Sequence, residues 1–294
     1  MPPALPPILT DWFASRGWRV RRHQSDMLMA AQRGEHALLV APTGAGKTLA
    51  GFLPTLADLI GNPADGLHTL YVSPLKALAV DVRRNLLTPI EEMGLPIRVE
   101  TRTGDTPSDR KARQRVRPPH ILLTTPESLS LLLSYPDAAL LFEHLRTVIV
   151  DEVHAFATQK RGDLLNLSMA RLQGINPDLR RVALSATVAD VDAYRAWLAP
   201  DGDIDAVTPV LGEAGAEPDV TILIPEGRVP WSGHSGKYAA RQVMAEIAAR
   251  QTTLVFCNTR GLAELIFQEL WSVNDANLPI AIHHGSLSIE ARRK

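Results

Sequence analysis

The stretch Ala41-Pro42-Thr43-Gly44-Ala45-Gly46-Lys47-Thr48 narrows the possible folds of this chain more than any other. It follows the apolar run Ala37-Leu38-Leu39-Val40 and precedes Leu49–Ile60, which is compatible with a helix. A strand, a glycine-bearing turn ending in Lys-Thr and a helix together form a phosphate cradle. Loop N–H groups and the helix N-terminus point at the anion, and the helix dipole adds positive potential there. In such a cradle Thr43, Gly44, Ala45 and Gly46 carry the backbone that surrounds the phosphates. Lys47 lies against the β- and γ-phosphates, and the Thr48 hydroxyl ligates Mg²⁺. The full pattern has Gly at its first position, where Ala41 stands. A dinucleotide-binding loop fits poorly, because Gly44 and Gly46 would need a third glycine where Leu49 stands. A plain turn is the remaining alternative for any Gly-Lys-Thr tripeptide.

The rest of the chain fits an α/β protein around that loop. Short apolar runs (Ala37–Ala41, Thr69–Ser73, Ile97–Thr101, Ile121–Thr124, Thr147–Asp151, Val182–Ser185) alternate with helix-compatible segments (Leu49–Ile60, Leu75–Met93, Ser108–Val116, Glu127–Leu133, Asp163–Leu172, Val191–Leu198). Continuous apolar strands alternating with helices predict a parallel sheet covered on both faces, with ligands at the strand C-termini. From Pro200 to Pro230 the chain is rich in Gly, Pro, Asp and Glu, with one strand-like run at Val220–Ile224, and reads as a linker or hinge. A second α/β unit follows: a helix at Tyr238–Arg250, a strand at Thr253–Cys257, a helix at Gly261–Leu270 and a strand at Ile280–Ile282. The expected division is 1–212, a linker over 213–230, and 231–294.

Composition sets further bounds. The net charge is −1, so any nucleic-acid binding must come from local patches. The single cysteine, Cys257, excludes an intramolecular disulfide and a four-cysteine zinc site, and its apolar neighbours predict an ordinary buried thiol. No signal peptide or membrane-length apolar run is present, and a cytoplasmic protein with no membrane partner is expected.

Val148-Ile149-Val150-Asp151-Glu152-Val153-His154 is the natural partner of the phosphate loop. An apolar strand ending in Asp151 sets a carboxylate beside the loop mouth, where it can hold Mg²⁺ directly or through water. Glu152 is then placed to polarise the water that attacks the γ-phosphate. Solvated carboxylates at a strand end are the bland alternative. Ser185-Ala186-Thr187 follows another strand; it either bridges the acidic site to a neighbouring domain or simply caps a helix. Gln24 either pairs with adenine N6 and N7 or is a surface glutamine.

The order of these motifs carries a resemblance. His23-Gln24, Ala41–Thr48, Ser73-Pro74-Leu75-Lys76-Ala77-Leu78, Thr103-Gly104-Asp105, Thr124-Thr125-Pro126-Glu127, Asp151–His154, Ser185–Thr187, Phe256–Arg260 and His283–Ser286 occur in series. That series resembles superfamily-two DExH helicases, and within them the Lhr-like group, nearest the bacterial ligase-associated DExH-box helicases. The resemblance runs from about Trp12 to the last residue. It implies two RecA-like P-loop NTPase domains that sandwich ATP with Mg²⁺, the second incomplete here. It also implies 3′ to 5′ movement on single-stranded or partly duplex DNA, with RNA as an alternative, and a role in DNA repair with a ligase or nuclease partner. Ser73, Pro74, Lys76, Thr103, Gly104, Thr125 and Pro126 match strand-contacting motifs of the first domain; Arg260, His284, Gly285 and Ser286 match those of the second. His154 matches the position that couples the nucleotide site to the other domain. Hydroxyls, backbone N–H groups and cations suit a grip on phosphates that reads no sequence. The family continues to two further motifs, one bearing arginine fingers. The resemblance thus predicts an N-terminal portion that binds nucleotide, turns it over slowly and exposes apolar surface on its second domain. A nucleotide-dependent clamp without efficient turnover is the rival from another class.

Two features stay open at this level. Arg110-Lys111-Ala112-Arg113-Gln114-Arg115-Val116-Arg117 is either a nucleic-acid patch or a solvated helix face, with the latter favoured. Trp12, Trp18 and Trp231 can stack on bases, but core packing is the commoner role of such residues.

Overall fold

The computed structural model describes residues 5–157, 159–213, 215, 217–224 and 236–288. The chain divides into two compact units, Met1–Ala216 and Glu217–Lys294.

In the first unit the elements run α1 (Pro7–Ser15), α2 (Arg22–Gln32), β1 (His36–Val40), α3 (Lys47–Gly61), β2 (Thr69–Val72), α4 (Lys76–Glu92), β3 (Val99–Arg102), α5 (Ser108–Val116) and β4 (Ile121–Thr124). They continue with α6 (Pro126–Leu133), α7 (Ala138–Phe142), β5 (Thr147–Val150), α8 (Lys160–Ile175), β6 (Arg180–Ser185), α9 (Val191–Leu198) and β7 (Val207–Leu211). The strands form one seven-stranded sheet in the order β3-β4-β2-β5-β6-β1-β7. Every pairing is parallel. This is the doubly covered parallel sheet that the alternating runs predict, and the RecA-like P-loop architecture that the resemblance implies.

Parallel strands crossed over by helices on both sides must bury both faces, and the residue alternation shows it. Leu39, Tyr71, Leu123, Ile149 and Leu184 point into one core with Met27, Phe52 and Leu53. Leu38, Leu70, Leu122, Val148 and Ala183 point into the other, with Leu129, Phe142, Phe156 and Leu165. Trp12 belongs to the first core and its Nε1 donates to Glu92 Oε2 at 2.8 Å, whereas Trp18 is half exposed.

The linker expected from Pro200 begins instead with an ordered edge strand. β7 pairs along the whole of β1, from His36↔Val207 to Val40↔Leu211. Its alternation is short and broken by Pro209, which conceals it in the sequence. That proline stands on an exposed edge where its missing N–H leaves no ladder bond unmade.

In the second unit, helices α10 (Ala240–Ala248) and α11 (Arg260–Ser272) pack through Ala240, Met244 and Leu270, with Val243, Ile266 and Leu278 against them. Among the described residues this unit has no paired strand. The strands expected at Val220–Ile224, Thr253–Cys257 and Ile280–Ile282 are thus corrected. A strand exists through its ladder, and these runs have none here. Leu254 and Phe256 are exposed, and Cys257 is only partly buried, contrary to the expectation of a buried thiol. Trp231 lies outside the described residues. Among the described residues no helix is long and apolar enough to cross a membrane.

Candidate nucleotide and nucleic-acid site

All seven strands end on one edge of the sheet. In the order β3, β4, β2, β5, β6, β1, β7, that edge presents Thr103, Thr125, Ser73, Asp151, Ser185, Ala41 and Gly212. Backbone bonds continue the ladders there: Ser73 N to Thr124 O at 3.0 Å, Asp151 N to Val72 O at 2.9 Å, Ala41 N to Ser185 O at 3.0 Å and Gly212 N to Val40 O at 2.8 Å. The strand order therefore sorts the predicted residues. The loop and acidic residues expected on the nucleotide stand at the ends of β1 and β5, the triplet expected to couple them to another domain stands at the end of β6, and those expected on nucleic acid in this unit stand on or just beyond β2, β4 and β3.

The phosphate loop leaves β1 and enters α3 through Gly46 as N-cap. Gly44 and Gly46 adopt φ of 80° and 78°, a left-handed geometry open to glycine at no steric penalty. Lys47 opens the helix and is 9% exposed. Gln24 is buried rather than on the surface. Its Oε1 accepts the Arg21 N–H at 2.9 Å, which satisfies a backbone donor at the start of α2. Its Nε2 lies 3.3 Å from the place a Cβ on Gly46 would occupy. The amide thus braces helix α2 against the loop.

Asp151 is 7% exposed at the end of β5. Burial pushes its carboxyl above the ordinary carboxylate range, opposed by the Tyr71 hydroxyl, the Glu152 N–H and the Lys47 charge. The Glu152 N–H donates to Asp151 Oδ1 at 2.9 Å, and Tyr71 Oη donates to Oδ2. Tyr71 stacks on Phe52 with ring centroids 5.3 Å apart. Burial, and then the Asp151 charge, push its phenol upward, so it stays a proton donor. Tyr71 is the residue that sequence reading missed. Its only signal is a phenol in an otherwise apolar strand.

Glu152 holds a left-handed backbone, φ 49°, unusual for a residue with a side chain and expressive of local constraint. His154 Nδ1 lies 2.9 Å from Ser185 Oγ and 3.3 Å from Glu152 Oε2. Ser185 Oγ in turn donates to Thr187 O at 2.9 Å. The triplet therefore connects to the acidic loop through His154. The cap of α9 falls to Asp190, whose Oδ1 accepts from Asp192 N and Ala193 N.

The residues present fit a divalent cation and a triphosphate. Asp151 and Thr48 offer the oxygen donors that Mg²⁺ takes, and Glu152 Oε2 is a buried acceptor with no hydrogen-bond partner. Among the described residues no cluster of three or more His, Cys, Asp or Glu side chains is placed to hold a metal. A cation here would share its coordination with phosphate oxygens.

On the other half of the edge, Lys76 Nζ donates to both Asp105 carboxylate oxygens, at 2.9 and 3.0 Å. Lys111 Nζ donates to Gly104 O at 2.9 Å. Ser73 Oγ donates to Leu75 O at 3.2 Å, Thr125 Oγ1 to Ser128 Oγ at 3.3 Å, and Pro126 opens α6. Within the basic run, Arg113 pairs with Glu100 at 2.7 Å and Arg115 with Asp137 at 2.7 Å, while Arg115 also covers the Tyr135 ring. Helix α5 is thus tied to its own surroundings, which agrees with the solvated-face reading. In the second unit Arg260 NH1 donates to Ser286 Oγ at 2.6 Å, its NH2 lies 3.5 Å from a Cβ position on Gly285, and His284 Nε2 lies 2.8 Å from Glu264 Oε1. Arg260, Gly285 and Ser286 come together there, with His284 alongside in the chain.

A phosphate loop after β1 beside a buried Asp151 and a half-buried Glu152 just beyond β5, in a parallel sheet of this order, defines the class as a helicase-type P-loop ATPase domain. The DEAD/DEAH box helicase family matches residues 21–194, more than half of the chain, and the chain belongs to that family. It is 35% identical, over 95% of its own length, to the Lhr helicase/uracil glycosylase of Escherichia coli strain K12, and spans 20% of that protein. It is 34% identical, over 98% of its length, to the ATP-dependent helicase Lhr-Core of Methanothermobacter thermautotrophicus, and spans 36% of it. The structure of Mycobacterium smegmatis helicase Lhr bound to ssDNA and AMP-PNP superposes with a TM-score of 0.81 at 36% identity, covering 98% of this chain and 39% of that one. The DEAD-box helicase Mss116 bound to ssRNA and UDP-BeF shares the fold, with a TM-score of 0.79 at 18% identity, covering 98% of this chain and 60% of that one. The chain thus spans between a fifth and little more than a third of these curated relatives.

Proposed function

We propose that this chain is the nucleotide-binding core of an ATP-driven helicase that moves on single-stranded DNA. The observation that carries the reading is the division of the carboxyl edge. The phosphate loop and the Asp151-Glu152 pair stand at the ends of β1 and β5, with Ser185 of the coupling triplet on β6 between them, and the hydroxyls and Lys76 proposed to grip the strand stand at β2, β4 and β3, so one sheet holds both. Residues 1–212 would be a first RecA-like domain, 213–230 a linker, and 231–294 the opening portion of a second.

In this reading the loop N–H groups and Lys47 hold the phosphates, and Thr48 and Asp151 hold Mg²⁺. When bound, Mg²⁺ neutralises charge that develops on the phosphate oxygens. Tyr71 donates to Asp151 and orients it. Glu152, whose buried Oε2 lies 3.3 Å from His154 Nδ1, orients the attacking water and accepts its proton. His154 joins Glu152 to Ser185, whose Oγ donates to the Thr187 carbonyl, in keeping with the coupling role that the family resemblance implies. Ser73, Thr103, Thr125, Pro126 and Lys76, with Arg260 and His284–Ser286, contact the strand backbone.

The test is ATP binding and hydrolysis by the chain, with and without single-stranded DNA or RNA of equal length. Stimulation by DNA is expected, with Lys47→Ala losing nucleotide binding and, in a version extended to the length of its relatives, Glu152→Gln keeping binding while losing turnover. The ssDNA in the Mycobacterium smegmatis Lhr structure favours DNA. Equal stimulation by RNA would favour an RNA-directed motor, and binding of both ligands without turnover would favour a clamp. Duplexes with 3′ or 5′ overhangs test the 3′ to 5′ polarity. A cytoplasmic repair role with a ligase or nuclease partner belongs to the same reading, supported by family resemblance.

A further inference from the structure

Glu127 is the second residue of α6 and follows directly on Thr125 and Pro126, which the helicase reading sets on the strand backbone. A bare carboxylate at that place would repel a phosphate. Its Oε1 instead accepts from Arg161 Nε at 2.6 Å, and Arg161 is the second residue of α8, which packs against α6. Burial raises the Glu127 carboxyl, but the Arg161 bond, its own N–H, the Thr125 hydroxyl and the Arg161 charge outweigh this and leave it below the ordinary range.

The two side chains are 38% and 51% exposed, and an ion pair that open to water adds little to stability. What it connects is more informative. The Arg161 guanidinium lies 6.0 Å from the centre of the Phe156 ring, within cation–π range. Phe156 closes the acidic loop. It is fully buried, its O accepts from Gln159 N at 2.8 Å and its N bonds Val153 O at 2.9 Å, while Ala155 N bonds Glu152 O at 2.8 Å. Glu152 keeps its left-handed backbone only while that turn is held from outside. One side chain, Arg161, therefore reaches both the turn that carries Thr125 and Pro126 and the turn that follows Glu152.

We propose that Arg161 is a positioning residue that couples nucleic-acid binding to the nucleotide site through Glu127. A strand phosphate seated at the start of α6 fixes Thr125 and the first turn of that helix, and so fixes Glu127. Glu127 then holds Arg161 beside Phe156, and the loop holds Glu152 in place. Such coupling is reciprocal, so bound nucleotide tightens the strand by the factor that the strand tightens the nucleotide. The inference rests on the assignment of Thr125 and Pro126 to the strand and adds the side-chain pair that carries the coupling.

The experiment measures the affinity of the chain for a fluorescent single-stranded oligothymidylate, with and without Mg²⁺ and AMP-PNP. Wild-type protein should bind the oligonucleotide about fivefold or more tighter with the nucleotide, the lower end of ordinary coupling. Arg161→Ala and Glu127→Ala should each bring that ratio close to one, and Arg161→Lys should keep most of it. Melting temperatures should stay within about 4 °C of wild type, because the pair is open to water. The two alanine variants change the net charge in opposite directions. Charge alone would weaken oligonucleotide binding in Arg161→Ala, strengthen it in Glu127→Ala and leave the ratio in place. A wild-type ratio near one, or a ratio that survives in either alanine variant, overturns the coupling assignment. A ratio lost only together with a larger fall in melting temperature assigns the pair to stability and overturns it too. Failure of wild type to bind either ligand overturns the proposed function instead.

Discussion

Gly162, in the first turn of α8, is the backbone position that most directly ties the acidic loop to the rest of the first unit. A Cβ added there would lie 2.1 Å from Phe156 O and 2.8 Å from Phe156 C. Carbon–oxygen contacts normally stop near about 3.3 Å, so the two backbones must part by about 1 Å. Neither is free to do so. Phe156 is fully buried, its N bonds Val153 O at 2.9 Å, and its O accepts from Gln159 N at 2.8 Å. Gly162 N bonds Gln159 O at 2.7 Å. Gly162→Ala therefore combines overpacking, about 1–3 kcal/mol, with a strained or lost hydrogen bond, about 0.5–1.5 kcal/mol. A loss of about 2–4 kcal/mol corresponds to a fall of about 4–16 °C in the melting temperature of a unit this size. The control is Gly174→Ala on the same helix, where nothing lies within 4 Å of the added Cβ. That change should be neutral or stabilising by up to about 1 kcal/mol, through helix propensity. Differential scanning calorimetry of the two variants beside wild type gives the answer. Equal melting temperatures for both would refute the argument that the Phe156 carbonyl demands glycine. Because Phe156 follows His154 by two residues, Gly162→Ala should also weaken nucleotide turnover more than nucleotide binding.

Tyr71→Phe keeps the stacking on Phe52 but removes the donor to Asp151. Stability should fall by about 1.5–3 kcal/mol and Mg²⁺-dependent nucleotide affinity should weaken; unchanged values in a Mg²⁺ titration and a melt would show that Asp151 does not need this bond. Asp105→Asn releases Lys76 from its carboxylate pair. Single-stranded DNA should then bind a few-fold tighter, with the logarithmic salt slope steeper by about 0.7, and an unchanged slope would remove Lys76 from the strand path. His23, His36 and His120 all have pKa values lowered, foremost by burial. His36 Nδ1 and His120 Nδ1 also accept backbone N–H groups of Arg181 and Arg98, at 3.0 and 3.2 Å, which protonation would forbid. The unfolded chain takes up these protons first, so stability should fall as pH drops below about 6.5, by up to about 1.4 kcal/mol per pH unit for each histidine. A flat melting temperature between pH 7 and 5 would contradict this.

The strand, turn and helix from His36 to Gly61 are legible in sequence because their determinants are local. An apolar run, two glycines and a helix-compatible segment adopt their geometry within a few residues. The same holds for Asp151 at the end of β5 and for helices α5 and α9, whose ends match the expected ones. β7 is not legible. Its pairing depends on the free edge of β1, far away in the chain, and Pro209 interrupts its alternation. The runs at Thr253–Cys257 and Ile280–Ile282 show the converse: a strand-like composition makes no strand where no ladder forms.

What the sequence determined by itself was therefore the set of chemical groups and the family, through motifs whose spacing is short and whose order is long. The tertiary structure alone decided which groups meet. Strand order is a long-range property, and it set the residues expected on nucleotide and those expected on the nucleic-acid strand on separate halves of one edge. It placed the Tyr71 hydroxyl on Asp151, 80 residues apart in the chain. It also brought Gly212, beyond the last strand, to the first loop. No local pattern encodes such meetings, because they follow from burying both faces of a shared sheet.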